Sequence, residues 1–333
     1  MQHGGDLALA IDRYGGTEAD WLDLSTGINP HAWPVPEPLA AGAWRHLPGQ
    51  NQLDRLLGAA RRAYGCPEHL GLVAAPGTQA LIAHLPELLG EGDAAIVAPT
   101  YSSHGAAWAR AGRKPLDVGY LEAIPDTARF AVVVNPNNPD GRLTSRQSQL
   151  TAARTLSERG GYLIVDEAFA DVVPGASLLP AIGDENILVL RSFGKFFGLA
   201  GLRLGFLAGP RRMTRVIMER LDSWAVSGPA LDIGRTALAD TAWQEAMRLR
   251  LADEMADLTL MLSEEGLTVF GGTPLFALAA TRNAAGLHDA LARRRIWTRV
   301  FDYAPTWMRI GLPGSAENRE RLRQALAEAL KEH

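Results

Sequence analysis

Five short apolar runs constrain this chain more than anything else in it. They are Ala94–Val97, ending at Pro99; Phe130–Val134, ending at Asn135-Pro136; Gly161–Val165, ending at Asp166-Glu167; Ile187–Leu190; and Leu204–Leu207. Continuous apolar runs of this length suit strands that are covered on both faces. Helical segments lie between several of them. The clearest starts near Thr144, with Gln147 three residues on as a capping-box partner, and runs to a stop at Gly160-Gly161. Strand–helix alternation predicts an α/β layer with a mainly parallel sheet. Such sheets bind ligands beyond the C-terminal ends of their strands. Asn138, Asp166, Ser192 and Lys195 fall there.

The texture changes after about Pro229. A helical stretch rich in Ala, Leu, Met and Arg runs from about Leu231 to Glu265, followed by the strand-like pieces Leu267–Phe270 and Leu275–Leu278. A last amphipathic helix is expected from Ala316 to Lys331. This reads as a second, smaller α+β domain. The first forty residues carry Pro30, Pro34, Pro36 and Pro38 and do not read as a compact unit. They are expected to drape over the molecule or to reach a partner subunit. The expected organisation is an extended segment over 1–40 that joins the small domain, a large domain over 41–228 and a small one over 229–333.

Bulk properties exclude several classes. The chain has 333 residues and a formal net charge of -4, which argues against nucleic acid as the main ligand. Cys66 is the lone cysteine, so no intrachain disulfide can form, which fits a reducing compartment. No apolar run approaches the ~20 residues of a membrane span, and the N-terminus lacks the regions of a signal peptide. A cytoplasmic protein is expected. The eight histidines show no metal-binding spacing, so no metal is expected.

The chemistry sits in Ser192-Phe-Gly-Lys195-Phe-Phe-Gly-Leu-Ala-Gly-Leu-Arg203. It sets a hydroxyl, an amine and a guanidinium at fixed spacing among glycines and apolar residues. An amine can join an aldehyde, and Ser and Arg can hold its phosphate. Phe196, Phe197 and Leu199 flank Lys195, and desolvation lowers an amine's pKa toward neutrality. Asp166 could pair with a cationic ring nitrogen or simply cap a helix. Asn138, in Asn135-Pro-Asn-Asn138-Pro-Asp-Gly141, could serve a phenolate oxygen or only a tight turn. Gly77-Thr78-Gln79 opens a helical run, and the N–H groups there can hold a phosphate. Tyr101 could stack on a ring or be a core aromatic.

Taken in order, Gly-Thr-Gln, an aromatic, Asn-Asn-Pro-x-Gly, Asp-Glu-Ala, Ser-x-x-Lys and Arg-x-Gly resemble the fold type I enzymes of the class I/II aminotransferase superfamily, over nearly the whole chain. The resemblance implies pyridoxal 5'-phosphate as cofactor and a homodimer. It implies that Lys195 joins the cofactor aldehyde and later moves protons. Asp166 would pair with the ring nitrogen, and Asn138 would contact the ring hydroxyl. Thr78, Gln79, Ser192 and Arg203 would hold the phosphate, and Tyr101 would stack on the ring.

The ends of the chain narrow the resemblance. His3-Gly-Gly-Asp6 and Ser25-Thr-Gly-Ile-Asn29-Pro30 are similar to the start of threonine-phosphate decarboxylases of cobalamin biosynthesis. So is Asp166-Glu-Ala-Phe169-Ala-Asp171, with Phe169 where many aminotransferases carry Tyr. Trp297-Thr-Arg299 and Trp307-Met-Arg309-Ile-Gly match two arginines that bind the substrate carboxylate in that group. Arg299 could otherwise be a surface strand residue. His3, Ser25 and Asn29 are candidates for the substrate phosphate or carboxylate; Ser25 and Asn29 could equally be turn residues. The implied reaction is loss of carbon dioxide from L-threonine O-3-phosphate, giving (R)-1-amino-2-propanol O-2-phosphate. A histidinol-phosphate-type aminotransferase is the alternative. Leu47 stands where relatives often carry a Tyr that reaches the partner's cofactor phosphate.

Overall fold

The computed structural model describes residues 4–36 and 41–332. In chain order its strands are β1 (Leu22–Asp23), β2 (Leu70–Ala75), β3 (Asp93–Val97), β4 (Pro115–Val118), β5 (Ala128–Val134), β6 (Tyr162–Asp166) and β7 (Ile187–Ser192). They continue with β8 (Gly205–Pro210), β9 (Thr268–Thr273), β10 (Phe276–Ala280), β11 (Ile296–Trp297), β12 (Arg299–Phe301) and β13 (Ala304–Gly311). The chain divides into two compact units. One holds Trp33–Asn138 and Arg142–Gln244; the other holds the N-terminal residues to Ala32, Pro139–Gly141 and the chain from Glu245 onward.

The larger unit is built on a seven-stranded sheet in the order β2-β8-β7-β6-β5-β3-β4. Strands β4, β3, β5, β6 and β7 pair in parallel. β8 runs against both β7 and β2. The mainly parallel sheet is as expected, with one reversed strand inside it. Both faces are covered. Phe130 and Val132 of β5 join a core cluster with Leu81 and Leu85 of the helix Thr78–Leu88, Trp108 of the helix Ser103–Arg110, and Ile217 of the helix Arg211–Leu221. Their neighbours Ala131 and Val133 point the other way and are equally buried. That explains runs of apolar residues without alternation.

Two helical expectations need correction. The helix Arg146–Glu158 is capped by Ser145, whose Oγ accepts from Ser148 N at 3.0 Å. Thr144 N instead donates to Asn135 Oδ1 at 2.9 Å, and Gln147 reaches Thr151. The long helix expected from Leu231 to Glu265 is two helices, Gly228–Ala239 and Thr241–Glu264. They break at Asp240, whose carboxylate accepts from Trp33 Nε1 and from Trp243 N, both at 3.1 Å. A cap that satisfies the orphan N–H groups of a new helix makes such a break cheap. The helix Gly228–Ala239 packs on Gln50–Ala63, and a Cβ at Gly234 would lie 3.0 Å from Leu56 Cδ1. By compactness, Gln244 closes the larger unit and the smaller unit resumes at Glu245.

The smaller unit holds a four-stranded antiparallel sheet, β12-β13-β10-β9. The described N-terminal residues, as far as Ala32, belong to this unit and contribute to a separate two-stranded sheet. β1 pairs in parallel with β11, and Tyr14, Trp21 and Trp297 meet edge to face with centroids 6.0–6.2 Å apart.

Candidate active site

In the larger unit the expected phosphate residues converge on Gly205. Its Cα partners in the sheet are Ser192 on one side and Ala75 on the other. A Cβ at Gly205 would lie 2.5 Å from Thr78 N and 2.8 Å from Gly77 C, so only glycine lets the strand approach the helix start this closely. Gly77 caps that helix with φ 80 and brings no capping side chain. The first-turn N–H groups are thus presented to an outside acceptor. A Cβ at Gly77 would lie 2.6 Å from Arg203 Nη2, which places the guanidinium against the helix start. Arg203 itself holds φ 52, and its Nη1 donates to Ala200 O at 3.1 Å. The Arg203 guanidinium and the positive helix end therefore lie together, with Ser192 on the neighbouring strand, an arrangement that can hold an anion.

The ring end follows by contacts. Tyr101 donates its hydroxyl to Gln79 Oε1 at 3.0 Å and stands edge-on to His104, 6.2 Å between centroids. His104 Nε2 meets Asp166 Oδ2 at 2.9 Å, both side chains being about 3% exposed. Ala168 N donates to Asp166 Oδ1 at 3.0 Å. The carboxylate is thereby held by a backbone amide and an imidazole. Asn135 and Asn137 are buried. Asn137 accepts from Thr100 Oγ1 at 2.6 Å and donates to Pro99 O at 3.0 Å, linking the turn that carries Asn138 to the turn before Tyr101. Asn138 is half-buried.

Lys195 lies in the one-turn helix Phe193–Phe196 between β7 and β8 and is half-buried. Its Nζ is 5.9 Å from the centroid of the Phe169 ring. Phe196 and Phe197 pack on Trp243, with centroids 5.4 and 5.7 Å away. The set fits pyridoxal 5'-phosphate, the cofactor the resemblance implies. It offers a cradle for a phosphate that a Cβ would fill, a buried carboxylate for a cationic nitrogen, an aromatic side chain and an amine.

The remaining expected residues belong to the smaller unit. Arg299 and Arg309 are direct partners across the antiparallel ladder of β12 and β13. Directly opposed like charges are unfavourable unless an anion lies between them. Arg309 is buried, and its Nη2 donates to Ser25 O at 2.6 Å. Burial holds the Arg299 guanidinium below its ordinary pKa. Ser25 and Asn29 make the contacts of turn residues. Ser25 Oγ donates to Asp23 Oδ1 at 2.6 Å and accepts from Gly5 N at 2.7 Å; Asn29 Oδ1 accepts from His31 N at 2.8 Å. His3 lies outside the described residues.

Sequence reasoning passed over His104 and Arg191. His104 follows Tyr101 by three residues at a helix start, so both face one side of that turn. Arg191 closes a fully apolar run, and a charge in such a place signals a buried partner.

Comparisons with known proteins identify the family. Residues 51–326 match the family model described as aminotransferase class I and II. The chain belongs to that family. Within it, the chain is 41% identical to a threonine-phosphate decarboxylase of Pseudomonas aeruginosa over 98% of its own length and 97% of the relative's. It is 42% identical to another from Sinorhizobium sp., again covering 98% of this chain and 97% of that one. A family fold is also evident in the histidinol-phosphate aminotransferase of Sinorhizobium meliloti, solved in complex with pyridoxal-5'-phosphate. It superposes with a TM-score of 0.87 at 19% identity, covering 100% of this chain and 96% of that one. The expected fold and the expected kinship with threonine-phosphate decarboxylases are both borne out.

Proposed function

We propose that this chain uses pyridoxal 5'-phosphate to decarboxylate L-threonine O-3-phosphate, yielding (R)-1-amino-2-propanol O-2-phosphate for the aminopropanol arm of cobalamin biosynthesis. The observation that carries the reading is identity of 41–42% to two threonine-phosphate decarboxylases over 98% of the chain. When bound, the cofactor supplies an electron sink for the pair left at Cα as carbon dioxide departs.

The chain's own residues do the rest. Lys195 would hold the cofactor through its amine and would deliver a proton to the substrate Cα once carbon dioxide has left it. Asp166, steadied by His104 and Ala168 N, keeps the ring nitrogen protonated. Asn138 holds the ring hydroxyl oxygen and Tyr101 covers the ring face. Ser192, Arg203 and the N-terminal turn at Thr78-Gln79 hold the cofactor phosphate. Arg299 and Arg309 take the substrate carboxylate, the bidentate partner a guanidinium suits. His3, Ser25 and Asn29 are assigned to the same substrate; for Ser25, whose hydroxyl is engaged with Asp23 and Gly5, the contribution is to shape the turn.

The active form is proposed to be a cytoplasmic homodimer. Support comes from the larger unit, where a groove of about 660 Å³ is edged by Trp224, 62% exposed, and Met218, 50% exposed. Leu47, 68% exposed, has no hydroxyl for the cross-subunit phosphate contact that a Tyr often makes at this place in relatives, so another residue would have to make it. Among the described residues no helix is long and apolar enough to cross a membrane.

The test is incubation of cofactor-loaded protein with L-threonine O-3-phosphate and no keto acid. Carbon dioxide and aminopropanol phosphate released over many turnovers support the reading. No release, with glutamate formed from 2-oxoglutarate and histidinol phosphate, overturns it in favour of the aminotransferase.

A further inference from the structure

We infer that Arg191 is a positioning residue for this site, holding from beneath the turn Asp166–Asp171 that carries both the Asp166 carboxylate and the Phe169 ring. Successive side chains of a strand leave it on opposite faces. Asp166 leaves β6 toward His104; Glu167 leaves on the other side, into the protein. There Glu167 Oε2 meets Arg191 Nη1 at 2.8 Å and accepts from Ser177 Oγ at 2.6 Å, while its Oε1 accepts from Leu178 N at 2.6 Å. Arg191 Nη2 meets Asp171 Oδ1 at 2.5 Å, and the guanidinium lies 4.3 Å from the centroid of the Tyr64 ring. A single cation thus grips the turn at both ends. Asn135 Nδ2 adds a tie to Ala176 O at 3.1 Å.

Stability alone does not call for this arrangement. Arg191, Glu167 and Asp171 are 3%, 0% and 6% exposed. Burying three charges costs several kcal/mol per ion, and well-packed apolar side chains of similar volume are often as stable or more so. Burial pushes the Glu167 carboxyl up and Arg191 works against it; burial also opposes the charge on Arg191, and Asp171 and Glu167 outweigh it. What directional charge-assisted bonds add over apolar packing is a fixed placement. The placed objects are the carboxylate, aimed by Ala168 N, and the Phe169 ring, 4% exposed and 5.9 Å from Lys195 Nζ.

The inference rests on the cofactor reading and not on the choice of substrate. The experiment compares wild type, Arg191→Lys and the neutral triple variant Arg191→Met/Glu167→Gln/Asp171→Asn, all cofactor-loaded. Three readouts are taken: melting temperature, the pH midpoint of the visible absorbance of bound cofactor, and kcat against KM. The absorbance titration needs no substrate, so a failed decarboxylation assay leaves it intact. Arg191→Lys is expected to shift the midpoint by about half a pH unit or more. It is expected to lower kcat about tenfold with KM within about twofold. The triple variant is expected to stay folded, its buried charges removed together, and still to show the shifted midpoint. A wild-type midpoint in either folded variant overturns the inference. So does a triple variant that regains wild-type midpoint and kcat along with its stability. If Arg191→Lys does not fold, the triple variant alone decides.

Discussion

Lys195→Ala is expected to abolish the visible absorbance of bound cofactor, because no other amine lies in the segment between Ser192 and Arg203. Retained colour after dialysis of the variant would sink the assignment. Arg309 is tested by its effect on substrate. Truncating one partner of a buried charge pair costs about 2–5 kcal/mol. Arg309→Met should therefore lower kcat/KM for phosphothreonine by roughly thirtyfold or more, with the cofactor spectrum unchanged; an unchanged kcat/KM counts against the carboxylate role. At this scale much of the candidate site was legible in the sequence, as residues the fold then places near one another. Lys195, Asp166, Ser192 and Arg203 stand at strand ends within short motifs, where residue type and spacing carry the chemistry. His104 was not legible, because its partner Asp166 is sixty-two positions away and only the sheet brings them together.

Among the elements, the close approach of β8 to the helix Thr78–Leu88 is the feature to probe. Gly205→Ala puts a Cβ 2.5 Å from Thr78 N, and overpacking of that kind costs about 1–3 kcal/mol. The variant is expected to melt lower and to bind cofactor more weakly by equilibrium dialysis. Gly201→Ala, with nothing within 4 Å of its added Cβ, should match wild type in both and serves as the control. The five apolar runs read from the sequence are all strands, and the reversed direction of β8 was not readable from any of them. A parallel return needs a crossover of about a dozen residues or more, usually a helix. The segment from Phe193 to Leu204 is taken up by the lysine-bearing turn and the approach to Arg203, so the chain comes back antiparallel. β4 escaped notice for a compositional reason: it opens with Pro115 and carries Asp117 at the sheet edge, where no alternation or apolar run marks it.

For the whole molecule, acid stability and assembly are the measurable properties. His288 is held neutral, its pKa pushed down to about 4 by burial first and then by Arg13 and Arg299, with Asp289 opposing. Its Nδ1 meets Thr298 Oγ1 at 2.9 Å. Between pH 6.5, its ordinary value, and about 4 the unfolded chain binds a proton that the folded chain refuses. Stability is then lost as pH falls through that window, and His288 contributes no slope above it. The melting temperature of His288→Gln should fall less steeply than wild type over the same range; parallel curves would refute this. Sedimentation velocity on the purified protein is expected to show a dimer, and a fully active monomer would count against the proposed assembly.

The pairing of Ser192 with Gly205 also bears on how the site assembles. Hydroxyl, amine and guanidinium lie on one short stretch whose ends are zipped together by the β7–β8 ladder. Contacts so near in sequence are cheap in loop-closure entropy. The Asp166–His104 contact spans a far longer stretch of chain and requires β3, β5 and β6 to be in register first. The Ser192–Arg203 part of the proposed cofactor anchor is thus local in sequence, whereas its meeting with the Thr78 helix start and the Asp166–His104 contact both depend on the assembled sheet.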